Sequence, residues 1–174
     1  MVTTRFLVVN LLVNALLLSW CLAINGAATE NAKKRCRSNP VVVENAKPGS
    51  PSTEWDINGA GDASIQGFAT EISVNVGEPI NFKVRTYSTK YRLDVYRMGY
   101  YNGTGARRQA TLRPTVSLPQ LQPACAYEAS THLVDCANWA VSASWRVPGT
   151  AVSGLYFARL VREDADPSSP LGIP

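Results

Sequence analysis

The sequence predicts an all-β protein, an antiparallel β-sandwich. Apolar and polar residues alternate along short segments, as they do in strands with one buried and one solvated face. Turn-forming stretches such as "NVGEP", "YNGTG" and "RVPGTAVSG" separate these segments, and after residue 23 no segment has a convincing helical period. Seven short strands between Asn39 and Asp164 are typical of an immunoglobulin-like or fibronectin-like sandwich, with the strand order left open.

The first 23 residues are predicted to be a secretory signal peptide. Arg5 precedes the apolar run "FLVVNLLVNALLLSWCLA", which ends in small residues, and this is the layout of an export signal. We expect cleavage after Ala23, or alternatively after Ala28. The run is also nearly long enough for an uncleaved membrane anchor, but Asn10 and Asn14 interrupt it. We therefore expect a secreted, extracellular protein that meets a membrane only during its export.

The mature chain is predicted to carry a nearly balanced charge behind a flexible basic leader, residues 24–39. Of the 17 Lys and Arg residues only Arg5 is lost with the signal, so 16 remain against 13 Asp and Glu, a net charge of +3. The excess lies in "KKRCR", residues 33–37. Such a cluster either contacts acidic polymers or lipid head groups or is simply solvated, and the solvated case is the more frequent one. We expect no nucleic-acid partner.

Three cysteines remain in the mature chain, and two of them are predicted to pair. Cysteine pairs oxidise in secreted proteins, and Cys125 and Cys136 bracket the short stretch "CAYEASTHLVDC". A disulfide that closes a loop of this length stabilises by roughly 2–3 kcal/mol. Cys36 is left free, paired with another chain, or paired with a residue beyond Pro174. No Cys-x-x-Cys spacing occurs, so the cysteines predict no zinc site.

The predicted strands of the domain, residues 40–164, follow in chain order. A weak strand, "VVVE" at residues 41–44, comes first. The next segments are "EISVNVG", with Ile72, Val74 and Val76 inward, and "PINFKVRT", with Ile80, Phe82 and Val84 inward. Weaker strands follow in "YRLDVYRM" and "ARRQATLR". The last are "NWAVSASWRVP", with Trp139, Val141, Ala143, Trp145 and Val147 inward, and "SGLYFARLVRE", with Tyr156, Ala158 and Leu160 inward. The step Gly154-x-Tyr156 suits a tyrosine corner.

The stretch "YRLDVYRMGYYNGTGARR", residues 91–108, is predicted to be a hairpin with a bulge. The apolar parity changes after Val95, which indicates the bulge, and Asn-Gly is the strongest signal for a tight hairpin turn. Tyr100 and Tyr101 beside the turn are the pair most able to face solvent and contact a ligand. Asn102-Gly103-Thr104 is the one N-x-S/T sequon of the mature chain, so we predict a glycosylation site at Asn102.

The polar residues suggest no catalytic site. His132 is the sole histidine and lies near Asp135 between the paired cysteines, where a surface role is expected. Glu54, Asp56 and Asp62 lie in "STEWDINGAGDASIQGF", where such residues cap turns, and their spacing matches no calcium loop. We therefore predict no catalytic residue, no cofactor and no metal ligand.

Several motifs together resemble a known family. The order of "EWDI", "GAGD", "IQGFAT" and "ISVN", then "YRLDVYRMGYY", then "NWAVSASW" and the "SG" step resembles the N-terminal β-sandwich region of N,N-dimethylformamidase large-subunit-like proteins. The likeness extends over about residues 40–174. It implies a sandwich that precedes a larger α/β catalytic domain, in which tyrosine and carboxylate ligands hold an iron. No residue of that later domain is carried over to this chain.

The resemblance also bears on the end of the chain. In the family the sandwich enters one more strand after a stretch like "PSSPLGIP", residues 167–174. Residues 165–174 are therefore expected to be a truncated linker or the start of a final strand that is missing. A sandwich without that strand exposes an unpaired strand edge.

The sequence thus leads to three hypotheses of function. The first is a non-catalytic, secreted β-sandwich module of a dimethylformamidase-like protein, a scaffold or ancillary binding domain whose partner is the absent α/β domain. The alternative is a free-standing carbohydrate-binding module, in which Tyr100 and Tyr101 stack on a polysaccharide. The third is an amide-bond hydrolase, the activity of the parent family, for which the chain offers no ligand set.

Overall fold

The computed structural model describes residues 39–57, 59 and 61–164. The predicted signal peptide, most of the basic leader, Cys36 and residues 165–174 lie outside this part of the chain. Among the helices that it does contain, none has the length and apolarity needed to cross a membrane.

Eight short strands, two short helices and a 3₁₀ turn make up the described part of the chain. In chain order they are α1 (Pro40–Asn45), α2 (Ser52–Trp55), β1 (Ile65–Ala69), β2 (Pro79–Thr86), β3 (Tyr91–Met98), the 3₁₀ turn (Tyr101–Gly103), β4 (Ala106–Leu112), β5 (Ala126–Glu128), β6 (Leu133–Asp135), β7 (Ala143–Arg146) and β8 (Tyr156–Arg162). The β-rich fold class predicted from alternation is confirmed.

Two three-stranded antiparallel sheets form the sandwich. One has the order β1-β2-β7 and the other β4-β3-β8, while β5 and β6 form a separate hairpin. The pairing of β2 with β7 and of β3 with β8 matches that of strands B with E and C with F in immunoglobulin-type sandwiches. The fourth strand lies beside the third, whereas in constant-type immunoglobulin domains it joins the other sheet. The strand order that the sequence left open is therefore not the constant-type one.

The inward faces of both sheets supply the core. Its buried members are Ile65, Phe82, Val84, Tyr91, Leu93 and Ala143, against which Ile80, Leu112, Leu118, Trp145, Ala158 and Leu160 pack. The inward faces predicted for β2 and β8 are confirmed. The bulge is confirmed as well, since the β3–β4 register shifts between Val95 and Tyr96. The Tyr156 hydroxyl donates to the Val152 carbonyl at 2.6 Å, which is the hydrogen bond of a tyrosine corner.

The predicted strand at residues 41–44 is wrong, because these residues lie in α1. The Val41 amide donates to the Asn39 side-chain oxygen at 2.9 Å, as it does at a helix N-cap. Pro40 follows at the first helical position, where its fixed φ favours the helix. A run of three valines is compatible with either element, so the cap decides the outcome.

The predicted strand "EISVNVG" is also wrong. Residues 71–77 form no strand, and Ile72 and Val76 are exposed rather than inward. The segment instead closes a local turn, in which the Glu78 amide donates to the Asn75 carbonyl at 3.1 Å. The alternation is present, but residues 71–76 pair with no strand in the described part of the chain, and the Gly77 amide donates to the Val147 carbonyl at 2.8 Å.

The segment "NWAVSASWRVP" forms a shorter strand than predicted, since only Ala143–Arg146 is β7. Trp139, Ala143 and Val147 are buried as expected, but Val141 is exposed. Ser142, predicted to be solvated, is fully buried because its hydroxyl accepts a hydrogen bond from the Val84 amide at 2.8 Å. The Ser142 side chain thus replaces a backbone–backbone hydrogen bond between β2 and this segment.

Candidate interaction surfaces

The buried side chain of Arg97 organises the end of the sandwich near the β3–β4 turn. Arg97 is only 2% exposed. Its guanidinium donates to the carbonyls of Val152 at 3.2 Å and Ser153 at 2.8 Å. It also donates to the Asn45 side-chain oxygen at 3.1 Å and the Tyr101 hydroxyl at 3.0 Å. All of these acceptors are neutral, so the cation is stabilised by oriented dipoles that satisfy its donors.

The packing around this guanidinium leaves no room for larger side chains. A Cβ placed on Gly154 would lie 2.8 Å from the Arg97 Nε and 3.0 Å from its Cζ. The Arg97 Cζ also lies 5.9 Å from the centroid of the Tyr101 ring, within the range of a cation–π contact. Glycine at position 154 therefore allows the loop between β7 and β8 to close over the arginine.

The hairpin tip, residues 99–105, places its two tyrosines differently. Tyr100 is 69% exposed, whereas Tyr101 is completely buried. The expectation that both face solvent is therefore wrong for Tyr101. Its backbone has the left-handed φ of 40°, which turns the ring away from solvent and brings the hydroxyl to Arg97. A two-ring stacking platform for a ligand is not assembled at this tip.

Asn102 lies in the 3₁₀ turn of the same tip. Its φ is 56°, a left-handed conformation that asparagine tolerates better than most residues. The side chain is exposed. The Thr104 hydroxyl donates back to the Tyr101 carbonyl at 2.9 Å. The sequon residues are thus held in a defined turn with the asparagine outward.

The outer face of the β4-β3-β8 sheet carries an ordered set of charges. The buried Asp94 carboxylate accepts a hydrogen bond from Thr111 at 2.6 Å and one from Arg92 at 2.9 Å. Arg92 also pairs with Glu163 at 3.0 Å. Hydrogen bonds from Arg113 and Arg92 lower the pKa of Glu163 from 4.5 to about 2. These contacts link the three strands of the sheet.

Asp164 at the end of β8 is held by the loop between β2 and β3. Burial by itself raises the pKa of Asp164, but hydrogen bonds from Ser88, Thr89 and Arg162 outweigh it and keep the pKa below the usual range. The Ser88 hydroxyl and the Thr89 amide each donate at 2.7 Å. These contacts are structural, because all of the donors belong to the scaffold itself.

An aromatic cluster covers the other end of the same outer face. The ring of Tyr96 stacks on Phe157 with centroids 5.5 Å apart, and Trp55 meets Phe157 edge-on at 6.4 Å. The Tyr96 hydroxyl donates to the Glu54 carbonyl at 3.0 Å, and Arg159 donates to the same oxygen. The segment that carries α2 is thereby fastened to the sheet.

An open cleft runs along the start of β8, with a volume of about 450 Å³. Its floor is apolar and includes Phe82, Val95, Trp145 and Tyr156, and the last two rings lie 5.8 Å apart. Residues 71–76 form the facing wall. Ile72 on this wall is fully exposed. The cleft thus combines an apolar floor with an exposed apolar rim.

The predicted turn-capping role of the acidic loop residues is confirmed for Asp56 and Asp62. The Asp56 carboxylate accepts a bond from the Ile57 amide at 2.9 Å, and Asp62 accepts from the Ser64 amide at 2.8 Å. In the part of the chain that the structure describes, no three His, Cys, Asp or Glu side chains gather at metal-binding distances. These carboxylates therefore act on their own loop.

The predicted disulfide between Cys125 and Cys136 is present, with Cα atoms 4.4 Å apart. It closes a hairpin of β5 and β6, here named the stapled hairpin, that the sequence analysis did not predict. Every residue of both strands is exposed. At its turn the Tyr127 hydroxyl lies 2.7 Å from Nδ1 of His132, and no nucleophile or carboxylate completes a catalytic set with this imidazole among the described contacts.

These features define a class of protein: a β-sandwich module with a rigid scaffold, an open apolar cleft and no assembled catalytic set in its described residues. Residues 92–171 match a family described as N,N-dimethylformamidase beta subunit-like, C-terminal. The region from β3 onward is thus dimethylformamidase-like, and the resemblance drawn from sequence motifs is confirmed there. No curated protein and no solved structure matches the chain.

The family description adds context to that resemblance. It names the C-terminal part of a subunit, so it implies a multi-domain or subunit setting. The sequence motifs had suggested the N-terminal sandwich of the parent protein, over about residues 40–174. The match confirms the resemblance over residues 92–171, while the position within a longer protein and the domain limits stay predictions.

Sequence reasoning missed two features of the structure, the burial of Arg97 and the open cleft. Arg97 stands between apolar residues in "DVYRMG", and this pattern does not predict its burial. The only signal was the presence of glycines at positions 99 and 154, which are 55 residues apart in sequence and meet only in the folded chain. The open cleft was missed because residues 71–76 were assigned to a paired strand.

Proposed function

We propose that this chain is a non-catalytic module of a secreted, dimethylformamidase-like protein and acts as a scaffold or ancillary binding domain. The open cleft is its docking surface, and the occupant is the α/β catalytic domain that the family resemblance implies. The observation that carries the proposal is the apolar floor and rim of the cleft within a dimethylformamidase-like region.

The rim supports docking because it leaves apolar side chains in water. Ile72 and Val76 on one wall and Leu155 on the other are each more than half exposed. Burial of an aliphatic side chain of this size contributes about 1.5–3 kcal/mol, and exposed apolar patches with polar margins mark interaction sites. A partner that fills the cleft therefore gains binding free energy at several positions.

The floor supports docking because its residues are already fixed. Trp145 and Tyr156 face each other, and the tyrosine corner anchors Tyr156 through its hydroxyl. A preformed surface loses little conformational entropy on binding. The cleft is therefore suited to a folded domain.

The other two hypotheses have less support. A carbohydrate module needs a second ring beside Tyr100, but Tyr101 is buried. An amide hydrolase needs a metal or a nucleophile with a base, and the described carboxylates of the acidic loop and the sheet hold their own scaffold. A scaffold role requires neither feature.

A binding experiment with a matched control tests the docking. The probe is the separately expressed α/β domain of an N,N-dimethylformamidase large-subunit-like protein, titrated into the full chain by calorimetry. We expect the double variant Ile72→Ser, Val76→Ser to bind at least about 100-fold more weakly, because burial of two aliphatic side chains contributes at least about 3 kcal/mol. Its stability should be unchanged, since both side chains are exposed in the free chain.

The control is Val134→Ser on the stapled hairpin, which has a similarly exposed side chain and should bind like the wild type. Absence of binding by the wild type, or an equal loss in the control, would overturn the docking proposal. Release of dimethylamine from N,N-dimethylformamide by the chain alone would overturn the non-catalytic part of it.

A further inference from the structure

We propose that Asn102 carries an N-linked oligosaccharide, so that the hairpin tip, residues 99–105, is a glycosylated and solvent-facing end of the domain. The inference uses the secretory location proposed above and is independent of docking at the cleft. The sequon Asn102-Gly103-Thr104 is the only one in the whole chain. Structural observations on the same residues carry the proposal beyond the motif.

The first observation is that the Asn102 carboxamide is available. The side chain is exposed in the turn between β3 and β4. Among the described residues no hydrogen bond engages this carboxamide. The other asparagines in the described part of the chain all use their side chains in hydrogen bonds: Asn39, Asn45, Asn75, Asn81 and Asn138.

The second observation is that the fold tolerates a large substituent at this position. Asn102 lies between β3 and β4, its side chain is exposed, and its backbone is left-handed with φ of 56°. The contacts that hold the tip come from its neighbours, namely Tyr101 to Arg97 at 3.0 Å and Thr104 to the Tyr101 carbonyl at 2.9 Å. An oligosaccharide on Asn102 disturbs neither contact.

The third observation concerns the cellular compartment. The Cys125–Cys136 disulfide is typical of proteins that mature in an oxidising compartment, and in cells with N-glycosylation the transferase works there. Exposed sequons of such proteins are acceptor sites. The sequon and the disulfide therefore point to the same route of maturation.

The chemistry of the transfer is as follows. The co-substrate is an oligosaccharide linked through pyrophosphate to a lipid, supplied with the cell's oligosaccharyl transferase. The Nδ2 atom of Asn102 forms a bond to C1 of the first sugar, and the bond from C1 to the pyrophosphate oxygen breaks. The lipid pyrophosphate leaves with the electron pair, and one amide proton passes to a base of the transferase. No oxidant or reductant is needed.

A glycan at Asn102 also limits which partners can contact the hairpin tip. Tyr100, which is 69% exposed, lies two residues away and comes under the first sugars. The tip is then shielded from partners, while the cleft along β8 stays accessible. The carbohydrate at this end belongs to the protein itself and is not a bound ligand.

The test expresses the full chain in a eukaryotic secretory host and compares intact masses before and after an amidase that removes N-glycans. We expect one oligosaccharide on the wild type, and the amidase should leave aspartic acid at position 102. Asn102→Asp should be unmodified, and it is a mild change because aspartate also tolerates the left-handed region. Thr104→Val should also be unmodified, whereas Thr104→Ser, which keeps the hydroxyl, should retain the glycan.

The variant Lys33→Thr supplies an internal control, because it creates a second sequon at Asn31 in the leader. A glycan at Asn31 without one at Asn102 overturns the proposal, since the chain then reaches the transferase and Asn102 is still refused. Absence of any glycan in this variant overturns it as well, since the chain then does not meet the transferase. Docking at the cleft is measured separately, so the two proposals fail independently.

Discussion

The chain contains two hairpins of opposite construction. The β3–β4 hairpin is held by the buried Arg97 and its neutral oxygen partners, and it belongs to a three-stranded sheet. The stapled hairpin of β5 and β6 has three paired residues on each side, all exposed, and a disulfide at its base. The first is ordered by the rest of the domain, whereas the second depends on a covalent bond because it buries almost nothing.

This difference shows how a small domain stabilises its projecting parts. A buried cation with satisfied donors connects segments far apart in sequence, such as Asn45 and Ser153. A disulfide acts on its own loop and leaves the core untouched. A change in the first network should therefore affect global unfolding, while a change in the second should be felt locally.

The largest effect is expected for Arg97→Met. The substitution removes the donor of the Ser153 carbonyl and of the Asn45 side-chain oxygen, and each buried polar group left unsatisfied costs about 1–3 kcal/mol. The Val152 carbonyl keeps its hydrogen bond from Tyr156. We expect the free energy of unfolding to fall by about 2 kcal/mol or more in urea denaturation. The exposed Arg85 of β2 supplies the control, Arg85→Met, which should change it by less than about 0.5 kcal/mol. Equal effects of the two variants would remove the special role of the buried network.

A smaller effect is expected for Gly154→Ala. The new Cβ lies 2.8 Å from the Arg97 Nε, and overpacking of this kind costs about 1–3 kcal/mol. Gly149→Ala is the matched control in the same loop, because a Cβ there meets nothing within 4 Å. Thermal unfolding of the two variants should differ in midpoint, with Gly149→Ala close to the wild type. The same midpoint for both would mean that the guanidinium shifts freely.

The smallest global effect is expected for Cys125→Ser combined with Cys136→Ser. Loop-closure entropy alone predicts a loss of about 3 kcal/mol. The exposed strands of the stapled hairpin should fray in the reduced native state as well, so we expect a loss of about 1 kcal/mol or less. Amide hydrogen exchange in residues 126–135 should accelerate strongly while exchange in β3 and β8 stays slow. A loss near the full entropic value would show that the hairpin is ordered without its disulfide.

The sequence predicted the elements whose patterns need no distant partner. Alternation located β2, β3, β4 and β8, and the change of parity after Val95 located the bulge. The pairing of Cys125 with Cys136 followed from their spacing and from the expected secretion. These features are encoded within short windows of the chain.

The failures share a cause, which is that the deciding contact lies elsewhere in the chain. Residues 71–76 alternate like a strand, but no strand of the described chain pairs with them. Tyr101 has the same side chain as its exposed neighbour Tyr100, but its ring is buried and Arg97 donates a hydrogen bond to its hydroxyl. Residues 41–44 are an exception, because the helix signal was local: Asn39 caps and Pro40 begins the helix. The prediction nevertheless gave more weight to the three valines that follow, which favour a strand.

The unpaired stretch at residues 71–74 has a practical consequence for experiments on the domain. The backbone there contributes to no sheet, and Ile72 is fully solvated. A protease should nick the folded chain at this position. The fragment that carries β1 should remain bound after cleavage, because β1 pairs with β2 over five residues and Ile65 is in the core. The position is therefore a natural split point, at which two halves of the domain can be produced separately and reassembled as a reporter.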